Sequence, residues 1–411
     1  MRLRRTPRYW GFECVFALDN VASFDKPKEC AMVIARKRRA CMHKILFYPL
    51  GNADTALISL ENGKDILIDF ADVANSDDPK EKRIALAPEL RRLMSDKNKD
   101  YFDIVAFSHG DNDHTKRASE FFHLEFANAY QGEGRYKIRE LWVPAAMIVE
   151  EGSEDDARII RQEARHRLRR GVGIRVFSRP AQISDWLEKQ GLSLESRLDL
   201  ITDAGQIVPG LSLEKDGVEF FVHSPFAHRQ SDEILIDRNN NCLVLQATFQ
   251  VSGMLTRMLL LGDITWKPLD DLISITQSHG RDERLFWDVC KLSHHCSSYA
   301  LSEIKGRDKT IPTKLIDWLY AQRSNGAIQV SSSDPIPSFD TVQPPHFQAE
   351  NYYRDRLREV QNGKFLVTMA HPTEDKPQKI EIEIGTGGAK QLLRSVSGAS
   401  VITSRSAPRV G

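Results

Sequence analysis

Short apolar runs bounded by turn residues alternate along the chain with longer segments of helical periodicity. Helices are predicted at 81–95, 153–170, 311–322 and 349–361. Strands are predicted at 44–48, 55–60, 65–70, 102–107, 138–143, 220–223, 242–249, 258–261, 289–292, 327–331 and 365–369. The dipeptide Asn62-Gly63 joins two of these strands and is a strong hairpin signal. Interleaved strands and helices indicate a layered α/β or α+β domain rather than a helical bundle.

Both ends of the chain lack this pattern. Residues 1–41 contain ten Lys or Arg and four Asp or Glu. We expect a flexible basic leader there, and the alternative is an electrostatic arm for nucleic acid. Residues 387–411 are rich in Gly, Ser and Arg, which predicts a disordered tail. The intervening residues 42–386 are expected to form one domain, with an inserted helical segment at about 145–215.

The overall composition excludes several classes of protein. Lys+Arg and Asp+Glu both number 57, so net charge favours neither a nucleic-acid binder nor a binder of acidic ligands. No apolar run approaches the roughly 20 residues of a membrane-spanning helix, so no membrane partner is expected. The six cysteines form no C-x-x-C pair, which is typical of reduced thiols and favours a cytoplasmic location. No protein partner can be named from these features.

Four potential metal ligands follow the predicted strand 102–107 within six residues, namely His109, Asp111, Asp113 and His114. Imidazole and carboxylate groups both suit zinc, manganese or iron. A tight loop after a buried strand can direct such side chains at one point. The alternative is a solvated polar turn, in which Asp and Asn are ordinary residues. We predict a metal-binding loop.

Further His and Asp residues follow other predicted strands. Asp263 ends the sequence LLLGD, the pair His294 and His295 follows the strand at 289–292, and His346 comes after two prolines. Each signal is weak by itself, because such residues are common at strand ends. Their occurrence at several strand ends is nevertheless what assembly of a metal site at the edge of a β-sandwich requires.

These motifs resemble those of metallo-β-lactamase-fold hydrolases. The resemblance rests on HxDxDH at residues 109–114, LLLGD at 259–263 and HHCSS at 294–298, in that order. Within that superfamily, the sequence is most similar to the metallohydrolase domain of the competence protein ComEC. GNAD at 51–54 and NCLVL at 241–245 are similar to two further motifs of that domain.

The resemblance implies an αββα sandwich, of class α+β, with two divalent metal ions at one edge. His109 and Asp111 would bind one metal, and Asp113 and His114 would bind the second. Asp113 is also assigned a catalytic role. The second histidine of the usual HxHxDH loop is Asp111 in this chain, a harder ligand, so manganese is expected as well as zinc.

The remaining implied roles fall on the later motifs. Asp263 would bridge the two metals, and His346 would complete the second site. His294 and His295 occupy the place where RNase Z-like members have a histidine that protonates the leaving group. His223 is a further candidate ligand, with the alternative that it is a strand histidine satisfied by hydrogen bonds.

The helix predicted at 153–170 carries a stripe of arginines that spacing places on one face, namely Arg158, Arg161, Arg165 and Arg169. Such a stripe can contact a phosphate backbone, or it can be a solvated face paired with acidic residues. The sequence therefore predicts a metal-dependent hydrolase, first of all a phosphodiesterase or nuclease acting on nucleic acid or another phosphodiester. Two alternatives stay open: a hydrolase of a small ester, lactam or thioester, and a non-catalytic module of a larger assembly.

Overall fold

The computed structural model describes residues 42–153, 155–227 and 238–393, so the predicted leader lies outside the described residues. The strands in this part of the chain are β1 His43–Phe47, β2 Ala56–Ser59, β3 Asp65–Ile68, β4 Tyr101–Ala106, β5 Phe122–His123, β6 Tyr136–Pro144, β7 Ile174–Phe177, β8 Ile201–Thr202, β9 Val218–Ser224, β10 Val244–Val251, β11 Met254–Leu260, β12 Trp287–Lys291, β13 Arg323–Ser331, β14 Lys364–Val367, β15 Ile380–Gly385 and β16 Gly388–Leu392. The α-helices are α1 Leu86–Asp96, α2 Asn112–Thr115, α3 Ala118–Phe121, α4 Ala146–Val149, α5 Asp155–Arg170, α6 Ala181–Lys189, α7 Leu213–Asp216, α8 Trp266–Ser278, α9 Lys314–Ala321 and α10 Phe347–Arg358.

The described strands form two sheets. Sheet 1 has the order β16-β15-β1-β2-β3-β4-β6-β7-β8, with β5 paired to β6, and sheet 2 has the order β14-β13-β12-β11-β10-β9. The strands β3, β4, β6, β7 and β8 run parallel in sheet 1, and β11 to β14 run parallel in sheet 2. The remaining pairs are antiparallel apart from β5 with β6.

Side-chain alternation along the strands produces four layers. In β1, Ile45 and Phe47 enter a core shared by both sheets, whereas Leu46 enters a second core between sheet 1 and its helices. Helix α5 contributes Leu168 to that second core, and α8 contributes Leu272 to a third core on the outer face of sheet 2. Successive strand residues point to opposite faces, so each sheet is buried on both sides. The predicted α+β sandwich of αββα type is confirmed.

The structure differs from the predicted organisation of the chain at the tail and at the insertion. The tail expected to be disordered from residue 387 begins instead as β16, which pairs with β15 through Gly385 and Gly388. The Gly-rich residues there form a hairpin turn, and Gly388 has a φ of 84°, a region that glycine tolerates best. The segment 145–215 is not purely helical, because β7 and β8 extend sheet 1 within it.

Helix α5 ends where the sequence predicts. Arg170 is its last residue, and Gly171 follows with a φ of 77°, the left-handed conformation that commonly terminates helices. None of the helices in the described ranges combines the length and the apolar character that crossing a bilayer demands.

Buried and exposed phenylalanines offer a matched test of this packing. Phe220 is fully buried between the sheets, where its ring meets Trp142 edge-on, whereas Phe339 is 67% exposed. We expect Phe220→Ala to lower the free energy of unfolding by about 3–5 kcal/mol because it leaves a cavity. Phe339→Ala should stay within about 0.5 kcal/mol of the parent. Urea denaturation of both variants measures the difference, and equal losses would contradict the four-layer packing.

Candidate metal centre

Four buried ligand-type residues meet at one edge of the sandwich. They come from the loop before β2, from α2, from the residues after β11 and from the turn after β12. Their ligand atoms all lie within 4.8 Å of one another, and we call them the acid–histidine cluster: Asp54, His114, Asp263 and His295. Asp263 and His295 follow the carboxyl ends of the neighbouring parallel strands β11 and β12, which share one edge of sheet 2.

His114 is oriented by a buried carboxylate behind it. Its Nδ1 donates a hydrogen bond to Oδ2 of Asp69 at 2.9 Å. Asp69 is itself held by the backbone N–H and the hydroxyl of Ser108, at 2.7 and 2.8 Å. Nε2 of His114 therefore faces the cluster, 3.6 Å from Asp54 and 3.5 Å from Asp263. A carboxylate that fixes the tautomer of a ligand histidine is a common feature of metal sites.

His295 is oriented in the same way by a backbone carbonyl. Its Nδ1 donates to the carbonyl oxygen of Ser332 at 2.7 Å, which leaves Nε2 for the cluster side. Nε2 lies 2.9 Å from Oδ2 of Asp113 and 3.4 Å from Oδ2 of Asp263. Each cluster histidine thus directs Nε2 toward the carboxylates.

The turn that carries His295 has an unusual backbone. His294, His295 and Cys296 have φ values of 49°, 51° and 63°, all in the left-handed region that residues with a side chain seldom adopt. Cys296 is completely buried in this conformation. Left-handed backbone costs roughly 1–2 kcal/mol per residue, so packing around the turn must offset that cost.

Buried atoms without hydrogen-bond partners test whether these residues fit a metal. Among the described residues, several side-chain atoms here are buried and unpartnered: Nε2 of His109, Nε2 of His114, Nδ1 of His294, Oδ1 of Asp54 and Oδ1 of Asp263. Buried polar atoms are normally satisfied, so a group of exceptions in one place needs an explanation. A divalent cation provides it, and the mixture of carboxylate and imidazole donors suits zinc or manganese. The residues fit the metal.

The electrostatics of the cluster favour charged side chains. Burial alone would lower the pKa of His295, but the carboxylates of Asp263 and Asp113 raise it to about 10. Burial would raise the pKa of Asp263, yet His295 and His114 hold it well below its usual range. Protons on the two histidines therefore balance the carboxylates in the absence of metal. A cation that binds here displaces those protons, because metal ligands must be deprotonated.

Lys291 is a cluster neighbour that sequence analysis did not assign. It is buried, its Nζ contacts Oδ2 of Asp54, and it lies 3.7 Å from Oδ1 of Asp263. Burial would lower the pKa of Lys291, but these two carboxylates raise it above its ordinary value. The position of this lysine at the end of the apolar run in β12 is the sequence feature that could have identified it. Asp54 was quoted only as part of the GNAD resemblance, and no role was predicted for it.

The rest of the predicted metal loop lies beside the cluster. The rings of His109 and His114 are 4.0 Å apart, and Nε2 of His109 is 3.4 Å from Oδ2 of Asp111. Burial would raise the pKa of Asp111, but His109 and Arg238 lower it to about 2. Arg238 donates to Oδ1 of Asp111 at 2.8 Å and also binds Glu150. One oxygen of the Asp111 carboxylate is therefore already paired with the guanidinium group of Arg238.

The two predicted catalytic groups outside the cluster lie at its rim. Asp113 is 35% exposed and contacts His295, as described above, and its Oδ2 is 3.8 Å from Nε2 of His114. The ring of His294 is 6.1 Å from that of His295. Burial lowers the pKa of His294, so its imidazole is neutral near pH 7.

Two predicted ligands are not brought to the cluster. Nδ1 of His346 accepts from the backbone N–H of Ser298 at 3.0 Å, and its Nε2 lies 3.3 Å from the carbonyl oxygen of Val342. His223 donates from Nε2 to the carbonyl oxygen of Arg284 at 2.9 Å. The candidate ligand role of His223 is therefore corrected in favour of the strand-histidine alternative. The completion of a second metal site by His346 stays a prediction, and here both of its ring nitrogens lie beside backbone groups.

The four arginines of α5 do not form one exposed stripe. Arg161 is 6% exposed and donates to the carbonyl oxygen of Glu150, and Arg165 donates to that of Ile148 at 2.8 Å. These two guanidinium groups anchor α5 to the segment before it, which corrects the prediction for them. Arg158 and Arg169 are exposed, and their contact with substrate stays a prediction.

The fold and the acid–histidine cluster define an αββα protein with buried carboxylate and histidine groups that could hold a metal ion. No family model matches the chain, and no curated protein matches it. Among solved structures, the chain is similar to a diphosphatase of the PhnP family, at 10% identity over 83% of this chain and 98% of that one, with a TM-score of 0.33.

Two further solved structures, a metallo-β-lactamase and an RNase Z, are also similar to the chain. The metallo-β-lactamase GOB-18 from Elizabethkingia meningoseptica shares 11% identity over 77% of this chain and 88% of its own, with a TM-score of 0.28. A long-form RNase Z from yeast shares 10% identity over 68% and 40%, with a TM-score of 0.26. Scores this low say nothing about activity, and the fold assignment rests on the layers and topology of this chain.

The Asp69–His114 contact predicts a measurable effect on metal binding. We expect Asp69→Asn to weaken the affinity for zinc about 10- to 100-fold, because the tautomer of His114 is no longer fixed. Competition with a chromogenic chelator measures the affinity. Asp96→Asn, a change at a carboxylate that is 69% exposed on α1, is the matched control and should leave affinity unchanged. An Asp69→Asn protein with parental affinity would contradict this orientation of His114.

Proposed function

We propose that this protein is a metal-dependent hydrolase and that it cleaves phosphodiester bonds, nucleic acid being the first candidate substrate. The observation that carries the proposal is the buried acid–histidine cluster with its unpartnered ligand atoms. A non-catalytic module has no need to keep such atoms buried and unsatisfied, because each one costs stability. The similarity of motif order to the ComEC-like hydrolase domains supports the same proposal.

The chain supplies the groups that the chemistry needs. A divalent cation in such a site lowers the pKa of water and screens the charge of an attacked phosphate. His114 and His295 present fixed nitrogen ligands, while Asp54 and Asp263 present carboxylates. His294 is the better placed of the histidine pair to exchange a proton with the reacting group, because both nitrogens of His295 have contacts inside the protein.

Fixed positive charge favours a phosphodiester over a small neutral ester. Lys291 contacts the cluster itself, and Arg238 lies beside it on Asp111. Both cations reduce the net negative charge that the carboxylates would otherwise present to an approaching phosphate. Hydrolysis of a small ester, lactam or thioester gains less from this arrangement and is the second candidate function.

A reducing compartment suits the thiols. The cysteines in the described part of the chain, Cys242, Cys290 and Cys296, are buried and free. Burial raises the pKa of Cys242 to about 12, so this thiol is protonated and unreactive. We therefore propose that the protein works in the cytoplasm.

The decisive test combines metal analysis with a substrate panel. Purified protein should contain zinc or manganese and hydrolyse single- or double-stranded nucleic acid, or bis-p-nitrophenyl phosphate, when either metal is added. Asp263→Asn should lower turnover by about 100-fold or more through loss of a ligand. Asp282→Asn, at an exposed carboxylate, is the matched control.

Three results would contradict the proposal. Protein that contains no metal even after reconstitution would remove the metal centre. Turnover of Asp263→Asn near the parental value would remove Asp263 from the mechanism. Faster hydrolysis of nitrocefin, p-nitrophenyl acetate or a thioester than of any phosphodiester would select the second candidate function.

Salt dependence tests whether the exposed arginines of α5 contact nucleic acid. Replacing both Arg158 and Arg169 by alanine should flatten the slope of log affinity against log salt by about 1.4 to 1.8, corresponding to two lost phosphate contacts. The comparison is made in Asp263→Asn protein, on single- and double-stranded oligonucleotides. Arg358→Ala, at an arginine side chain that is 73% exposed on α10, is the control. Identical slopes for all proteins would exclude α5 from binding.

A further inference from the structure

A cavity separate from the acid–histidine cluster lies on the outer face of sheet 2. It measures about 260 Å³ and is bounded by β9 and by the end of α8. Phe221 and His223 of β9 line it, whereas Val222 between them has its side chain in the core shared by the two sheets. The alternation along β9 therefore directs His223 away from the metal centre and into what we call the His223 cavity.

His223 carries an unused hydrogen-bond acceptor in the wall of this cavity. Its side chain is 2% exposed, and its Nε2–H donates to the carbonyl oxygen of Arg284. Nδ1 must then hold the lone pair of a neutral imidazole, and it has no hydrogen-bond partner among the described residues. Burial lowers the pKa of His223 to about 4, which keeps the ring neutral. The wall of the cavity thus holds one buried acceptor, with almost no accessible surface of its own, that lacks a donor.

The other residues that line the cavity are apolar inside it and polar or cationic at its rim. Phe221 is buried with its ring edge-on to that of His223, at 4.9 Å between centroids, and Phe226 is half-buried. His279 and Arg281 are exposed at the rim. Arg281 donates one N–H to the carbonyl oxygen of Gly205 at 2.6 Å, which positions a guanidinium group that has five N–H donors in all.

We propose that the His223 cavity binds a small planar heterocycle that bears an N–H donor and a negatively charged group, the chemistry of a nucleoside monophosphate. The N–H is donated to Nδ1 of His223, the ring packs against Phe221 and Phe226, and the anionic group contacts Arg281. A volume near 260 Å³ lies just below the roughly 300–1,000 Å³ of sites for drug-sized ligands, so the ligand is small. The inference is independent of the proposed function, because no residue is shared with the acid–histidine cluster.

Calorimetric titration with uridine monophosphate tests the site. Parental protein and metal-free Asp263→Asn protein should both bind this nucleotide, with a Kd between about 10 μM and 1 mM. The 3-methyl analogue should bind about 10-fold more weakly, because it lacks the ring N–H and loses one hydrogen bond. Inorganic phosphate alone should also bind about 10-fold more weakly, because it makes no ring contacts.

Three variants locate the binding. Arg281→Ala, a surface change, should weaken the nucleotide about 10-fold and leave binding of uridine unchanged. His223→Gln keeps an N–H for the carbonyl of Arg284 and should abolish discrimination against the methyl analogue. Arg358→Ala is the control and should bind like the parent. The Tm of each variant shows whether it is folded.

Two outcomes would overturn the inference. If no nucleotide saturates the parental protein at about 10 mM, the cavity holds only water. If binding is lost in Asp263→Asn protein but is unaffected by Arg281→Ala, the nucleotide occupies the metal centre. That second result removes the His223 cavity as a site while leaving the proposed hydrolase function intact.

Discussion

The burial of several carboxylates at one point is the constraint on which this structure depends. Asp54 and Asp263 are almost completely removed from water, and an isolated buried carboxylate is very costly. Protonated histidines and Lys291 make the arrangement tolerable by placing positive charge within about 4 Å of both groups. A metal ion held by Asp54, His114, Asp263 and His295 would replace the histidine protons with a divalent charge. The surrounding strands need only hold the side chains still.

Much of the architecture is readable from local sequence. Apolar runs locate the long strands to within a few residues. Helix α5 ends at Arg170, immediately before Gly171, as the sequence predicts. The motifs also contain all four cluster residues, and roles were predicted for three of them, namely His114, Asp263 and His295. These predictions succeed because the periodicity of a strand and the ligand residues at its end are visible in the sequence of that segment alone.

The residues whose roles were missed or wrongly predicted have environments that depend on tertiary structure. Asp54 meets Lys291 across 237 positions of sequence, and an isolated aspartate before a strand gives no local sign of that contact. His223 was a plausible ligand only while the face of β9 that it occupies was unknown. Arg161 looks like a surface arginine by spacing, but its guanidinium group satisfies a backbone carbonyl at the end of α4. In each case the deciding partner comes from another element.

The lysine in the cluster has a consequence for the protein without a metal ion. In small zinc domains the ligand charges repel one another until the ion arrives, so folding waits for metal. Here Lys291 of β12 provides covalently attached positive charge beside Asp54 and Asp263, so part of the negative charge of the cluster is neutralised before any metal ion binds. The folded chain therefore does not depend on a metal ion alone to balance these buried carboxylates.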